Sequence, residues 1–315
     1  VLRHGHLVLD YYGTGPDFKW SQSLGTVTFG PDTLHDIRSV TKSIVSLLYG
    51  IARARGQVPA PDEPLLRHFP EYPDLAADTR RSQLTIAQAL TMTLGLEWNE
   101  DAPYTSLANS EIAMEFSPDR CRFVLEQPIV AEPGVRWVYS GGATALVGQL
   151  IAKGTGMPLQ DFARSTLFTP LGIETFEWMA GRDGVVSAAS GLRLNPSDLA
   201  RIGQMVLDDG QWEQREVVPA AWLETALQPQ IRIAEDFDYG YFWYRGKLPA
   251  RSGVDGDRLD WIGGLGNGGQ RLMLLPDLDL VVAITAGNYN SPDQGTLPTT
   301  LLNDVILASI EREGR

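Results

Sequence analysis

Two spacings of apolar residues alternate along the chain. Near the start, "HGHLVLDYY" and "GTVTFG" switch between apolar and polar positions in the manner of short strands. From Ser39 the spacing lengthens. Val40, Ile44, Leu47, Leu48 and Ile51 fall on one face at a period near 3.6, which predicts an amphipathic helix. Gly56, following Arg53 and Arg55, marks its end. Gly50 lies inside it. A glycine there costs about 1 kcal/mol relative to alanine, so its presence predicts a close packing neighbour.

Helix signals dominate from residue 59 to 235. "LTIAQALTMTLGL" opens with Thr85 and Gln88 spaced as a capping box and stops at Gly95. "GATALVGQLIAKG" carries Leu146, Val147, Leu150 and Ile151 on one face. "NPSDLARIGQMVLDDG" has Asn195 as N-cap, Pro196 at the first helical position and Gly210 past the end. "VPAAWLETAL" is a further short helix. After residue 235 the period returns to two. "YGYFWYRG", "GQRLMLLP" and "LDLVVAITAG" read as antiparallel strands, the last two joined by a turn at "PDLD". A final helix follows at "PTTLLNDVILASIER". Strands at both ends predict an α+β fold: an antiparallel sheet built from both termini and flanked by helices, with a mostly helical lobe inserted. The sheet lobe would comprise 1–58 and 236–315, and the helical lobe 59–235.

Composition changes this picture little. Of 315 residues 43% are hydrophobic and 21% charged, the balance of an ordinary globular chain. The net charge of −13 disfavours nucleic acid and anionic membrane surfaces as partners. One cysteine, Cys121, excludes an intrachain disulfide. No apolar run is long enough to span a bilayer. The chain opens on Val1, already in a strand-like stretch, so the natural N-terminus is expected upstream and the compartment is unreadable.

Chemistry enters at the helix start. "DIRSVTKSIVSLLYGIA" holds one of only four lysines, Lys42, three residues after Ser39. Residues three apart share a helix face. Ser39 also lies where free backbone N–H groups and the helix dipole favour developing negative charge. A lysine acts as base only if it gives up its proton, which burial or a nearby cation promotes. Alone, a Ser-x-x-Lys spacing is a weak signal. The four histidines, His4, His6, His35 and His68, accompany no Gly-x-Ser-x-Gly elbow. His35 reads as structural. No His-Glu-x-x-His, Cys/His cluster or Gly-x-Gly-x-x-Gly opening a helix is present, so no metal or other cofactor is expected. "PGVRWVYSGGATALVGQLI" puts Tyr139 just before a helix. "WIGGLGNGGQRLMLLP" is a glycine-dense entry to a strand pair, where a ligand can approach backbone N–H groups. Trp98, Tyr104, Trp178, Tyr241 and Trp243 are candidate pocket walls, since aromatic groups supply much of the area in small-molecule clefts.

These segments together resemble the serine β-lactamase and penicillin-binding protein superfamily, on its class C and esterase side. "SVTK" matches the family's Ser-x-x-Lys, "YSG" stands where it has Tyr-x-Asn, and "GLGNGGQ" where it has Lys-Thr-Gly or His-x-Gly. The flanks "LTIAQALTMTLGLEW" and "DLARIGQMVLDDGQW" extend the likeness over nearly the whole chain, in particular to 6-aminohexanoate-dimer hydrolases. The resemblance implies a nucleophile at Ser39, a base formed by Lys42 and Tyr139, and an oxyanion hole from the N–H groups of Ser39 and Asn267. It also puts Gly266 beside the substrate and Tyr104 on a loop over the cleft. Two positions depart from the pattern: Gly141 replaces the second motif's asparagine, and Gly264 the third motif's cation. The second departure argues against β-lactam turnover. The expected function is hydrolysis of small esters or amides through an acyl-enzyme. A true β-lactamase or D-alanyl peptidase, and an inactive ligand-binding or sensor relative, are the alternatives.

Overall fold

The computed structural model of the chain describes residues 1–248 and 258–313. An N-terminal hairpin, β1 (Leu2–Arg3) and β2 (His6–Leu7), joins six strands from the far end of the chain. These are β3 (Ile231–Ala234), β4 (Phe237–Tyr239), β5 (Tyr244–Lys247), β6 (Asp260–Gly266), β7 (Gln270–Leu275) and β8 (Leu280–Ile284). They form one sheet in the order β3-β4-β5-β6-β7-β8-β1-β2. All neighbours are antiparallel. The expected sheet from both termini is therefore present. The opening strands are shorter than "HGHLVLDYY" suggests, and Thr14–Lys19 and Gln22–Thr28 pair as a separate hairpin.

The sheet is covered on both faces, which explains the near-continuous apolar runs in β7 and β8. Leu272, Leu274 and Val281 point into the larger core. Met273, Leu275, Leu280 and Val282 point the other way, against Leu302, Ile306 and Leu307. The latter three come from the C-terminal helix, which winds as a π-helix over Leu301–Leu307 between α-helical turns at Thr296–Thr300 and Ala308–Glu313. The turn between β7 and β8 is a single 3-10 turn, Pro276–Leu278, followed by Asp279 in the left-handed region.

On the larger-core face lie α1 (Val40–Ala54) and the helix Pro196–Leu207, which follows Asn195 as N-cap as the spacing predicts. Gly203 lets that helix reach the sheet: a Cβ there would lie 2.7 Å from Val281 Cγ1. This helix and β3 both join the sheet before residue 235, the boundary that the change of period suggests. The capping box at Thr85 and Gln88 is formed in full.

The amphipathic pattern understates the burial of α1. Its polar face is not solvated: every residue from Val40 to Ala52 is buried. The sheet covers one side and other helices the rest, so the apolar stripe is only the part of its surface that the sequence advertises. Gly50 has the close neighbour it predicts. A Cβ there would sit 2.1 Å from Trp222 Cδ1, and Trp222 is itself held between Tyr49 and Tyr241, at ring separations of 5.3 and 5.6 Å. Gly50→Ala gains about 1 kcal/mol of helix propensity, but overpacking of this kind costs about 1–3 kcal/mol and more where neighbours cannot move. Net destabilisation is expected, read as a lowered midpoint of urea unfolding. An unchanged midpoint would show that Trp222 yields freely.

Candidate active site

A short strand, His35–Asp36, leads into α1 through Arg38, which is held in the left-handed region at φ 50°. Such a conformation costs a non-glycine residue of order 1 kcal/mol and persists where the surroundings impose it. Here Arg38 is tied by its guanidinium to Asp36 (3.3 Å) and lies over the Tyr289 ring (4.5 Å). His35 belongs to the same support. Its Nδ1 is 3.1 Å from Asp17 and its Nε2 is 2.8 Å from the Tyr289 hydroxyl. The structural role expected of it fits that setting.

The sharp entry sets Ser39 at the N-cap of α1. Its hydroxyl makes no capping bond, whereas Thr85, Asn109, Ser140 and Asn195 all cap their helices with their side chains. Ser39 Oγ instead accepts a hydrogen bond from Lys42 Nζ at 3.2 Å. Lys42 is 2% exposed. Its Nζ also donates to the Ala189 carbonyl at 2.8 Å and lies 4.7 Å from the centre of the Tyr139 ring. Tyr139 hydrogen-bonds to Ser39 in turn. Ser39, Lys42 and Tyr139 therefore converge. The Tyr139 phenol is held well above its ordinary range, first by burial and then by the charge of Glu100; the bond to Ser39 pulls the other way.

The third segment meets this cluster at the end of β6. A Cβ on Gly266 would lie 2.6 Å from the Ile37 carbonyl oxygen, so the strand end and the approach to Ser39 run side by side. The Asn267 side chain turns away to Asn290, donating to its Oδ1 at 2.7 Å and accepting from its N–H at 2.8 Å. Gly264 faces α1. A Cβ there would lie 3.0 Å from both Ser43 Oγ and Val40 Cγ1, so this position serves helix–strand contact and has no room to spare for a side chain.

The aromatic candidates divide. Tyr104 is brought to the site: its hydroxyl donates to Glu100 at 3.0 Å. Its phenol is also raised, by burial first and by Glu100 next. Trp98 Nε1 donates to the same carboxylate at 2.6 Å. Trp178 lies one layer back. It donates to the Ser187 carbonyl at 2.7 Å and the Ser190 carbonyl at 3.2 Å, steadying the loop that carries Ala189. Tyr241 and Trp243 are not brought to the site. Tyr241 packs on Trp222 in the core and Trp243 is wholly buried. Trp137, Tyr239 and Tyr244, which sequence reasoning did not single out, form the aromatic wall behind Tyr139. Trp137 stands 6.0 Å from Tyr139, 5.6 Å from Tyr239 and 6.5 Å from Tyr244, centre to centre.

Two carboxyl groups were also missed. Glu100, on the loop before α2 (Ser110–Phe116), accepts from the Gly141 N–H at 2.5 Å as well as from Trp98 and Tyr104. Glu111, in the first turn of α2, is 5% exposed. Asn109 fixes both. Its Oδ1 caps α2, and its amide donates to the Ala102 carbonyl at 2.8 Å. Glu111 hydrogen-bonds to Glu100 and is pushed up to about 8, by burial first and by the Glu100 charge next, with Lys42 opposing. Among the described residues no group of three or more His, Cys, Asp or Glu is placed to hold a metal ion.

A Ser-x-x-Lys pair on the first helical turn with its lysine buried, a tyrosine at the start of a facing helix and a glycine-rich strand end define a serine hydrolase. The Beta-lactamase family profile matches residues 1–303, and the chain belongs to that family. It is 23% identical over 303 residues to a 6-aminohexanoate-dimer hydrolase of Paenarthrobacter ureafaciens, covering 93% of this chain and 72% of that one. It is 33% identical over 184 residues to esterase EstB of Burkholderia gladioli, covering 55% of this chain and 44% of the esterase. In fold it is similar to a Bacillus anthracis structure provisionally named as a 6-aminohexanoate-dimer hydrolase. That likeness has a TM-score of 0.74 at 16% identity, over 96% of this chain and 80% of that one.

Glu111 makes stability depend on pH. Its folded value of about 8 lies above the ordinary 4.5, so between these values the folded state holds a proton that the unfolded state has lost. That contribution is complete below the lower value and is lost as pH rises through the upper one. Stability should fall across this window in the wild type and less steeply in Glu111→Gln, measured by urea unfolding at stepped pH. Equal slopes would mean that Glu111 is ionised in the folded protein at neutral pH.

Proposed function

We propose that this chain hydrolyses small esters or amides through an acyl-enzyme on Ser39. The observation that carries the reading is the mutual contact of Ser39, Lys42 and Tyr139 at the start of a buried helix. In this scheme Ser39 Oγ attacks the carbonyl carbon while its proton passes to the Lys42–Tyr139 pair, and the pair returns a proton to the leaving group. The raised phenol favours a relay in which Tyr139 gives up its own proton only as it receives another, rather than a resting phenolate. The N–H groups of Ser39 and Asn267 receive the oxyanion. Loss of one such donor typically costs about 3 kcal/mol. Water then attacks the acyl-enzyme and releases the acid.

Among acyl compounds we favour short esters and amides over β-lactams. The relatives named as an esterase and as an amide-dimer hydrolase support this preference. So does the tight fit of Gly264 against α1, which leaves the third motif's cation no place. An activated short-chain ester should be turned over at least about tenfold faster than nitrocefin. Comparable rates would overturn the preference for esters. Ser39→Ala should lose turnover by roughly 10³-fold or more and all labelling by a fluorophosphonate, and wild-type rates in that variant would overturn the scheme.

Lys42 and Tyr139 should behave as one unit. Tyr139→Phe and Lys42→Met, the latter chosen to keep the buried volume, should each slow acylation by roughly 10²- to 10⁴-fold. The double variant should lose little more than either single change. Single-turnover acylation rates measure this, with circular dichroism confirming the fold. Additive losses in folded variants would mean that the two residues act independently.

A further inference from the structure

The second family motif has asparagine where this chain has Gly141, and the space does not stay empty. A Cβ on Gly141 would lie 2.9 Å from Glu111 Oε2 and 3.0 Å from its Cδ. A carboxyl carried in from α2 thus stands where a side chain at 141 would begin. Its other oxygen, Oε1, accepts from Ser190 Oγ at 3.2 Å. Ser190 follows Ala189, whose carbonyl holds Lys42 Nζ. A continuous path therefore runs from Glu111 through Ser190 and Ala189 to Lys42.

We propose that Glu111 is a positioning residue for Lys42, matched to Gly141, which acts by anchoring the Ala189 carbonyl through Ser190 and by standing as a neutral acid beside the lysine. The proposal rests on the reading of Ser39, Lys42 and Tyr139 as the catalytic group. The groups that face Glu111 account for its neutrality. Glu100, from the preceding loop, already accepts three donors and so takes the Glu111 proton as a further hydrogen bond. Glu115, one turn along α2, adds negative charge and is itself paired with Arg120 at 3.0 Å. The Tyr104 and Tyr139 phenols feel the Glu111 charge, and Lys42 from α1 is the one cation among its largest influences. Two adjacent carboxyls, one of them buried, do not both ionise readily. A neutral acid at 111 leaves Lys42 free to exchange its proton with Tyr139. An ionised one would hold that proton on the lysine and oppose its departure from the phenol.

The experiment uses the full chain. In Glu111→Ala, kcat/KM for the activated ester should fall by about tenfold or more, with slowed fluorophosphonate labelling of Ser39. Glu111→Gln keeps the oxygen that Ser190 needs but cannot ionise. The ratio of its kcat/KM to that of the wild type should therefore climb between about pH 7 and 9, as the wild type alone acquires the charge. A purely structural role would leave that ratio flat. Steric matching is read separately by thermal unfolding: Gly141→Ala should lower the melting temperature more in the wild type than in Glu111→Ala. Wild-type activity in Glu111→Ala, a flat ratio or additive melting shifts would each overturn the proposal while leaving the hydrolase assignment intact. Wild-type protein that fails to label at Ser39 would overturn both.

Discussion

The site is organised around one costly object, a lysine in the first turn of a buried helix. An isolated ammonium taken out of water carries a penalty of several kcal/mol even after the protein relaxes. Lys42 is compensated piece by piece: by the Ala189 carbonyl, by Ser39 and by the face of Tyr139. Each compensating group has its own anchor. Trp178 and Ser190 steady the 187–190 loop, Asn109 fixes the loop of Glu100 and Tyr104, and the Trp137–Tyr239–Tyr244 wall backs Tyr139.

The same region holds three strained backbone positions. Arg38 before Ser39, Met92 below the loop and Phe242 beside α1 all have positive φ without being glycine. Phe242 donates its N–H to the Leu90 carbonyl and accepts from Ser43 Oγ at 2.8 Å. Its left-handed conformation thus ties the segment before β5, the 90–92 turn and α1 together one turn along from Ser39. Strain held at several neighbouring positions implies surroundings rigid enough to impose it. Ser39 and Lys42, within hydrogen-bond reach of each other, are held in register by that rigidity.

Local signals carried much of the fold and the centre of the site, because they rest on residues near one another in sequence. Capping at Thr85 and Asn195, the turn at Pro276 and the Ser39–Lys42 spacing are all of this kind. What escaped was decided at long range. Glu100 and Glu111 look like solvated loop and helix-start residues, since acidic groups are common in a first turn. Only the fold brings α2 against Gly141. Burial of the polar face of α1 was missed for a related reason: periodicity detects the apolar stripe and is silent on Ser43 and Ser46, which are buried too. Tyr241 and Trp243 were placed at the pocket because large aromatics are common there, yet they serve the core equally well.

The glycines at two motif positions show how a family pattern can be departed from without leaving a hole. At Gly264 the missing side chain is replaced by helix: Val40 and Ser43 close on the strand, and the cation of the third motif has no place. At Gly141 it is replaced by chemistry, a carboxyl delivered from another element into the vacated space. The two exchanges differ in charge: the first takes a cation out of the motif pattern, and the second sets a carboxyl that is pushed up to about 8 where the pattern has a neutral amide. Both positions are thus filled by contacts from other elements rather than by side chains of their own.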